Sequence, residues 1–178
     1  MRAIRENLGK IHLYAGDGKG KTTASVGLAV RANGSGLKVL FVQFLKSGDS
    51  AELKQLEKLG ITVISGQPIK SFVFQMTPAE KQESQKFFAA RLEEVFRQAA
   101  DYDLLVLDEI LGAIASEMIS EARLIELLQN KPQQLELVLT GRDPSQELID
   151  LSDYYSEITL RKHPYESEGL AARSGIEY

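Results

Sequence analysis

The sequence predicts an α/β fold in three layers, α/β/α, with a mainly parallel central sheet. Three observations predict it. Five or six short apolar runs alternate with helix-patterned stretches along the chain. Several runs, Val39–Phe44 and Leu104–Leu107 among them, are apolar at nearly every position, which fits strands buried on both faces. The first run passes directly into a glycine-rich turn and then a helix pattern, as a strand–loop–helix unit does.

The elements follow in order. Ile11–Ala15 reads as a strand, and Lys21–Asn33 as a helix stopped by Gly34 and Gly36. Val39–Phe44 is a second strand. Ala51–Leu59 is a short helix closed by Gly60, and Ile61–Ser65 a third strand. Gly66–Met76 is expected as a loop. Thr77-Pro78-Ala79-Glu80 opens the next helix, with Thr77 as N-cap, Pro78 in the first helical position and Glu80 completing a capping box. That helix is expected to reach about Ala100. Leu104–Asp108 is the fourth strand, followed by helical stretches through Gln129. Leu135–Thr140 is the fifth strand, Asp143-Pro144 caps a helix to about Leu151, and Tyr155–Leu160 is the last strand.

The 178 residues fit a single domain spanning 1–178, long enough for a core without disulfides or a structural metal. There are no cysteines and two histidines, which excludes thiolate metal centres, iron–sulfur clusters and a cysteine nucleophile. With 21 basic against 25 acidic residues, nucleic-acid binding is not expected. No apolar run approaches a bilayer span, and the N-terminal MRAIRENLGK lacks the apolar stretch of a secretory signal. A cytoplasmic protein with no membrane contact is expected.

The chemistry concentrates in Gly16-Asp17-Gly18-Lys19-Gly20-Lys21-Thr22-Thr23, between the first strand and the first helix. A glycine-rich turn lets backbone N–H groups face an anion, and the helix N-terminus adds unpaired amides and its dipole. Lys21 can reach phosphate oxygens and the Thr22 hydroxyl can ligate Mg²⁺. This is a phosphate-binding loop one residue short. The first glycine of G-x-x-x-x-G-K-[ST] falls on Ala15, and Gly16 is the nearest glycine. Lys19 either touches phosphate or is solvated.

Asp108-Glu109 ends the fourth strand, at the edge that faces the ligand crevice in such folds. With Thr22, one of these acids can hold Mg²⁺ or Mn²⁺. Gln43 and Lys46 follow the second strand, and Thr140-Gly141-Arg142 the fifth. Arg142 either contacts phosphates or ribose or is a surface arginine before a helix. His12 is expected as a satisfied core residue and His163 as a loop residue. Glu109 is the one general base in view. The residues therefore leave open an ATP hydrolase or kinase using Glu109, a nucleophile that needs no deprotonation, and a non-catalytic nucleotide-binding regulator.

The motifs resemble one family, the P-loop ATP:corrinoid adenosyltransferases, whose fold is RecA-like. The resemblance rests on GDGKGKTTAS at Gly16–Ser25, VQFLK at Val42–Lys46, VLDE at Val106–Glu109, LTGR at Leu139–Arg142, DLSD at Asp150–Asp153, KH at Lys162–His163 and GIEY at Gly175–Tyr178. The short-spaced loop is itself similar to the family's version. The resemblance implies that ATP lies reversed in the loop and that Co(I) of a reduced corrinoid attacks the ribose 5′-carbon, expelling tripolyphosphate. Lys21, Thr22 and Glu109 match the family's catalytic and metal positions, and Glu109 is favoured over Asp108 partly on that ground. A flavodoxin-like electron donor and a homodimer are also implied. Ser71-Phe72-Val73-Phe74 resembles the family's Gly-Phe-Thr-Trp, which implies that Phe72 and Phe74 bind the corrinoid and help remove its lower axial ligand. The alternative for this pair is packing into the core. About ten residues precede the first strand where some family members carry a longer covering segment, so the C-terminal tail is the candidate to close the site.

Overall fold

The computed structural model describes residues 5–68 and 73–177. Among these, six strands form one sheet in the order β3-β2-β4-β5-β1-β6, every pairing parallel. The strands are β1 (Ile11–Ala15), β2 (Val39–Gln43), β3 (Thr62–Ile64), β4 (Leu104–Asp108), β5 (Glu136–Gly141) and β6 (Tyr154–Glu157). The helices are α1 (Lys21–Gly34), α2 (Ala51–Lys58), α3 (Pro78–Gln98), α4 (Ile110–Ala115), α5 (Glu121–Gln129), α6 (Gln146–Leu151) and α7 (Pro164–Glu168).

The pleat explains the layers. Successive side chains of a strand point to opposite faces. Leu40 and Val42 of β2, Leu105 and Leu107 of β4, and Leu137 and Leu139 of β5 pack in one core cluster with Phe88, Leu92 and Val95 of α3 and Leu124 and Leu128 of α5. Their neighbours Val39, Phe41, Leu104, Val106 and Val138 pack in a second cluster with Ala29 and Ala32 of α1 and Leu53 and Leu56 of α2. The consecutive apolar residues seen in the sequence thus feed two cores, one on each side of the sheet.

Parity also builds the site. Gln43, Asp108 and Thr140 each lie two residues beyond a side chain of the α1–α2 cluster. They therefore share the face on which α1 begins. Gln43 is in register with Asp108, and β5 lies between β4 and β1.

The capping box at α3 forms as expected: Glu80 N donates to Thr77 Oγ1 and Thr77 N donates to Glu80 Oε2. The cap of α6 differs. Ser145 Oγ accepts from Leu148 N, while Asp143 adopts a left-handed φ of 48°, outside the extended conformation of an N-cap. The last strand begins one residue early and ends at Glu157, because residues 158–160 turn onto the phosphate-binding loop. Its four residues are exposed at the sheet edge. His12 is satisfied, as expected, with Nε2 2.6 Å from Glu136 Oε1 and its ring stacked on Tyr154. It is only part-buried, because its one neighbour on that side is β6, the exposed edge strand. His163 caps α7, its Nδ1 accepting from Tyr165 N.

Candidate active site

The loop between β1 and α1 is held from outside by the chain leaving β6. Gly18 N donates to Ile158 O at 2.7 Å, Ile158 N to Ala15 O at 2.7 Å, and Leu160 N to Asp17 Oδ1 at 2.8 Å. This contact explains two of the glycines. A Cβ on Gly16 or Gly18 would stand 2.5 or 2.6 Å from Ile158 O, closer than backbone atoms can approach. Gly20 is different: it has open space around it but a φ of 120°, and it is the residue from which α1 starts. No side chain caps α1 among the described residues, so its first amides are left for an anion.

Lys21 is buried and its Nζ donates to Gly16 O and Gly18 O, both at 2.7 Å. The ammonium thus spans the loop it would share with a phosphate. Burial pushes its pKa down, Arg142 adds to that, and Glu109, Asp17 and Asp108 oppose it. Arg142 is exposed, follows β5 and lies within electrostatic reach of Asp17, Lys21 and Glu109.

Asp108 is the hub beneath the loop. It is fully buried, and among the described residues it accepts four hydrogen bonds. Oδ1 accepts from Thr22 Oγ1 at 2.9 Å and Thr140 Oγ1 at 2.8 Å. Oδ2 accepts from Gln43 Nε2 at 3.2 Å and Lys46 Nζ at 3.0 Å. Gln43 is anchored in turn by Ser65 Oγ, and Thr140 Oγ1 also accepts from Glu109 N.

Thr22 therefore hydrogen-bonds to Asp108, while Glu109, the metal ligand the sequence favoured, stands next to that pair. Glu109 sits at a left-handed φ of 61°, and its carboxyl lies against Gly112 at the start of α4. Burial first, then Asp108, raises its pKa; Lys46, Lys21 and Arg142 oppose the shift. The Thr22 hydroxyl and the Asp108 carboxylate are hard oxygen donors of the kind Mg²⁺ or Mn²⁺ takes, and a cation already stands beside the pair in the form of Lys46. Thr22, Asp108 and the phosphates of a bound nucleotide therefore fit such an ion.

Thr22, Thr23 and Lys46 open into a cavity of about 970 Å³ that continues to Gln67, Val73 and the tail residues Gly175–Glu177. Gln67 Oε1 is buried there with no hydrogen-bond partner among the described residues. Glu177 reaches back to Lys19 Nζ at 2.7 Å and to Arg173, which pull its pKa down to about 2. Lys19 is thus paired rather than merely solvated, and the tail does lie beside the loop. Thr23 faces the cavity. Val73–Gln75 forms a short 3₁₀ turn, and Phe74 is 82% exposed, so it is no core aromatic. Phe72 lies outside the described residues.

Four participants were not singled out for these roles by the sequence: Thr140 and Gln43 as clamps on Asp108, Gln67 in the cavity, and Arg91. Arg91 donates to Gly66 O at 2.6 Å and stacks on Phe87, fixing the start of the loop that leads to Phe74. For Thr140 and Gln43 a signal existed, a polar residue ending an otherwise apolar strand. For Gln67 and Arg91 there was none.

The fold is matched by a solved KaiC-like protein from Pyrococcus horikoshii, with a TM-score of 0.53, 18% identity, and coverage of 88% of this chain and 75% of that one. A family model described as ATP:corrinoid adenosyltransferase BtuR/CobO/CobP matches residues 7–178. A corrinoid adenosyltransferase from Escherichia coli is 29% identical over 177 residues, covering 98% of this chain and 88% of the relative. One from Salmonella typhimurium is 31% identical with the same coverage. A buried phosphate-loop lysine, a threonine clasped by a strand-end aspartate, and a match along nearly the whole sequence lead to one conclusion: the chain belongs to the P-loop ATP:corrinoid adenosyltransferase family.

Proposed function

We propose that this site transfers the 5′-deoxyadenosyl group of ATP to the Co(I) of a reduced corrinoid and releases tripolyphosphate, with the triphosphate seated in the Gly16–Thr23 loop. The observation that carries this is the continuity between loop and cavity: Thr22 and Lys46 face both the phosphate seat and a space at the upper end of the ~300–1,000 Å³ usual for small-molecule sites. That space leaves room beyond the phosphates for a second substrate. In the reaction a Co–C bond forms at the ribose 5′-carbon while the C5′–O bond breaks, and the electron pair of that bond leaves with tripolyphosphate. Co(I) carries no proton, so no general base is required of Glu109. Catalysis then rests on alignment and on neutralising the leaving group.

Lys21 exchanges the carbonyls of Gly16 and Gly18 for phosphate oxygens, and the first amides of α1 add their dipole. Arg142 and Lys19 supply further positive charge at the loop, alongside Asp17, Gly18, Gly20 and Thr23 as its backbone and rim. Thr22 and Asp108, with Glu109 beside them, would hold Mg²⁺ or Mn²⁺, which supplies charge neutralisation to the phosphate oxygens when bound. Gln67 Oε1 offers an acceptor to a hydroxyl or amide N–H of either substrate. Phe74, exposed and next in the chain to Val73 of the cavity wall, and Phe72 would meet the corrinoid. Cytoplasmic location, a homodimer and a flavodoxin-like electron donor belong to the same proposal.

The test is product analysis. Protein, Mg²⁺, ATP and chemically reduced corrinoid should give adenosylated corrinoid and tripolyphosphate, with the visible spectrum reporting the Co–C bond. ADP and phosphate without corrinoid product would reject the proposal in favour of a hydrolase. Lys21→Ala should abolish turnover, since the leaving group loses its nearest cation; unaltered turnover would reject that role.

A further inference from the structure

A cation of the chain's own lies beside the hydrogen-bonded pair of Thr22 and Asp108. Lys46 Nζ stands 3.0 Å from Asp108 Oδ2 and 3.5 Å from Thr22 Oγ1. The path by which it arrives is unusual. Phe44 N still pairs with Asp108 O at the end of β2, and then Leu45 adopts a left-handed φ of 56°, a conformation a leucine rarely takes, which turns the chain back over the carboxylate. Such outliers persist where the surroundings enforce them, and they cluster at functional sites.

The four donors on Asp108 are not equivalent. Gln43 and Thr140 are fully buried and each is anchored by a further hydrogen bond. Thr22 is fixed in the first turn of α1. Lys46 is the charged one, its side chain is 27% exposed, and it lines the cavity. A divalent ion joining Thr22 to Asp108 repels an ammonium 3.0 Å from the same carboxylate, and Lys46 is the donor free to leave.

We propose that Lys46 is a surrogate for the divalent cation. Before metal–nucleotide binds, its ammonium compensates the Asp108 carboxylate beside the Thr22–Asp108 hydrogen bond. The incoming metal–nucleotide displaces it into the cavity, where it faces the triphosphate. The strength of metal binding is therefore set by competition with a residue of the chain. This rests on the metal reading of Thr22 and Asp108 given above.

Mn²⁺ binding is measured by the loss of its free EPR signal without nucleotide, since ATP itself chelates Mn²⁺, and without corrinoid, so that no turnover is involved. Lys46→Gln removes the competitor and should bind Mn²⁺ about five- to tenfold more tightly, the effect expected of a partly buried charge pair. The chain has no cysteine, so Lys46→Cys offers a single alkylation site. This variant should also bind more tightly, and aminoethylation of the same folded protein, which restores a cation, should return the affinity to the unsubstituted value. Unchanged or weaker Mn²⁺ binding in both variants, or no reversal on aminoethylation, overturns the proposal. Asp108→Asn separates the two levels. If it leaves Mn²⁺ affinity intact, the metal reading fails and the surrogate with it. If it weakens binding while the Lys46 variants do nothing, the surrogate alone fails.

Discussion

Replacing Asp108 by asparagine keeps the shape of the side chain and changes one of its oxygens into a donor. The carboxylate is fully buried, and its four accepted bonds arrive in pairs: two threonine hydroxyls on Oδ1, and Gln43 Nε2 with Lys46 Nζ on Oδ2. Hydroxyls can rotate to accept, whereas the amide and ammonium only donate, so the new NH₂ group turns toward the threonines. The charge is lost in either orientation, and Lys46 is left facing a neutral oxygen. A hydrogen bond to a charged group contributes about 1.5–3 kcal/mol and a neutral one about 0.5–1.5 kcal/mol. Lys46 is partly exposed, so water replaces some of what it loses. The expected cost is about 1–3 kcal/mol. At about 2–4 °C per kcal/mol for a chain of this size, the melting temperature of ligand-free protein should fall by roughly 2–12 °C. Asp108→Ala orphans all four donors and should cost about 3–5 kcal/mol. Thermal melts by circular dichroism measure both. Turnover on pre-reduced corrinoid, titrated with Mg²⁺, should fall about 10²-fold in Asp108→Asn. A variant that melts with the parent and keeps its Mg²⁺ dependence would refute the assignment of Asp108 as hub.

Gly18→Ala places a Cβ 2.6 Å from Ile158 O and 2.9 Å from the Thr159 carbonyl carbon, so either the loop or the 158–160 segment must move. Overpacking of this kind costs about 1–3 kcal/mol, and ATP affinity measured by calorimetry should fall with stability; a variant unchanged in both would show the contact to be slack. Phe74→Ala should slow adenosylation that begins from Co(II) plus reductant more than adenosylation of pre-reduced Co(I), and equal losses in the two assays would assign Phe74 a packing role. Glu109 has a carboxyl pKa above its ordinary 4.5 because of burial and Asp108. A raised folded-state value means stability fully present below the unfolded pKa and lost as pH rises through the folded one. Glu109→Gln should therefore melt above the parent at pH 7, each kcal/mol appearing as about 2–4 °C, and the gap should close near pH 4. A gap of the opposite sign, or one independent of pH, would remove Glu109 from its buried setting.

The sequence by itself determined the layers, the phosphate-binding loop and the family. These are carried by local features: consecutive apolar residues in β2 and β4, a capping box at Thr77–Glu80, and glycines spaced to meet a helix start. It also placed both acids of the Asp108-Glu109 pair at the correct strand end. What it could not supply was which of them meets Thr22. That pairing joins residues 86 apart in the chain and depends on strand order and pleat parity, which put Gln43, Asp108 and Thr140 on the α1 face and leave Glu109, at a left-handed backbone, beside them near Lys21 and Lys46. The same holds for Gly16 and Gly18. Their spacing suggested an anion cradle, yet the absence of a side chain there also admits Ile158, from the far end of the chain, against the loop. Lys46 over Asp108 and Glu177 on Lys19 have the same origin. Periodicity and turn chemistry are written in neighbouring residues. The partner of a buried charge is chosen by the packing of the whole sheet, and only the tertiary structure contains that.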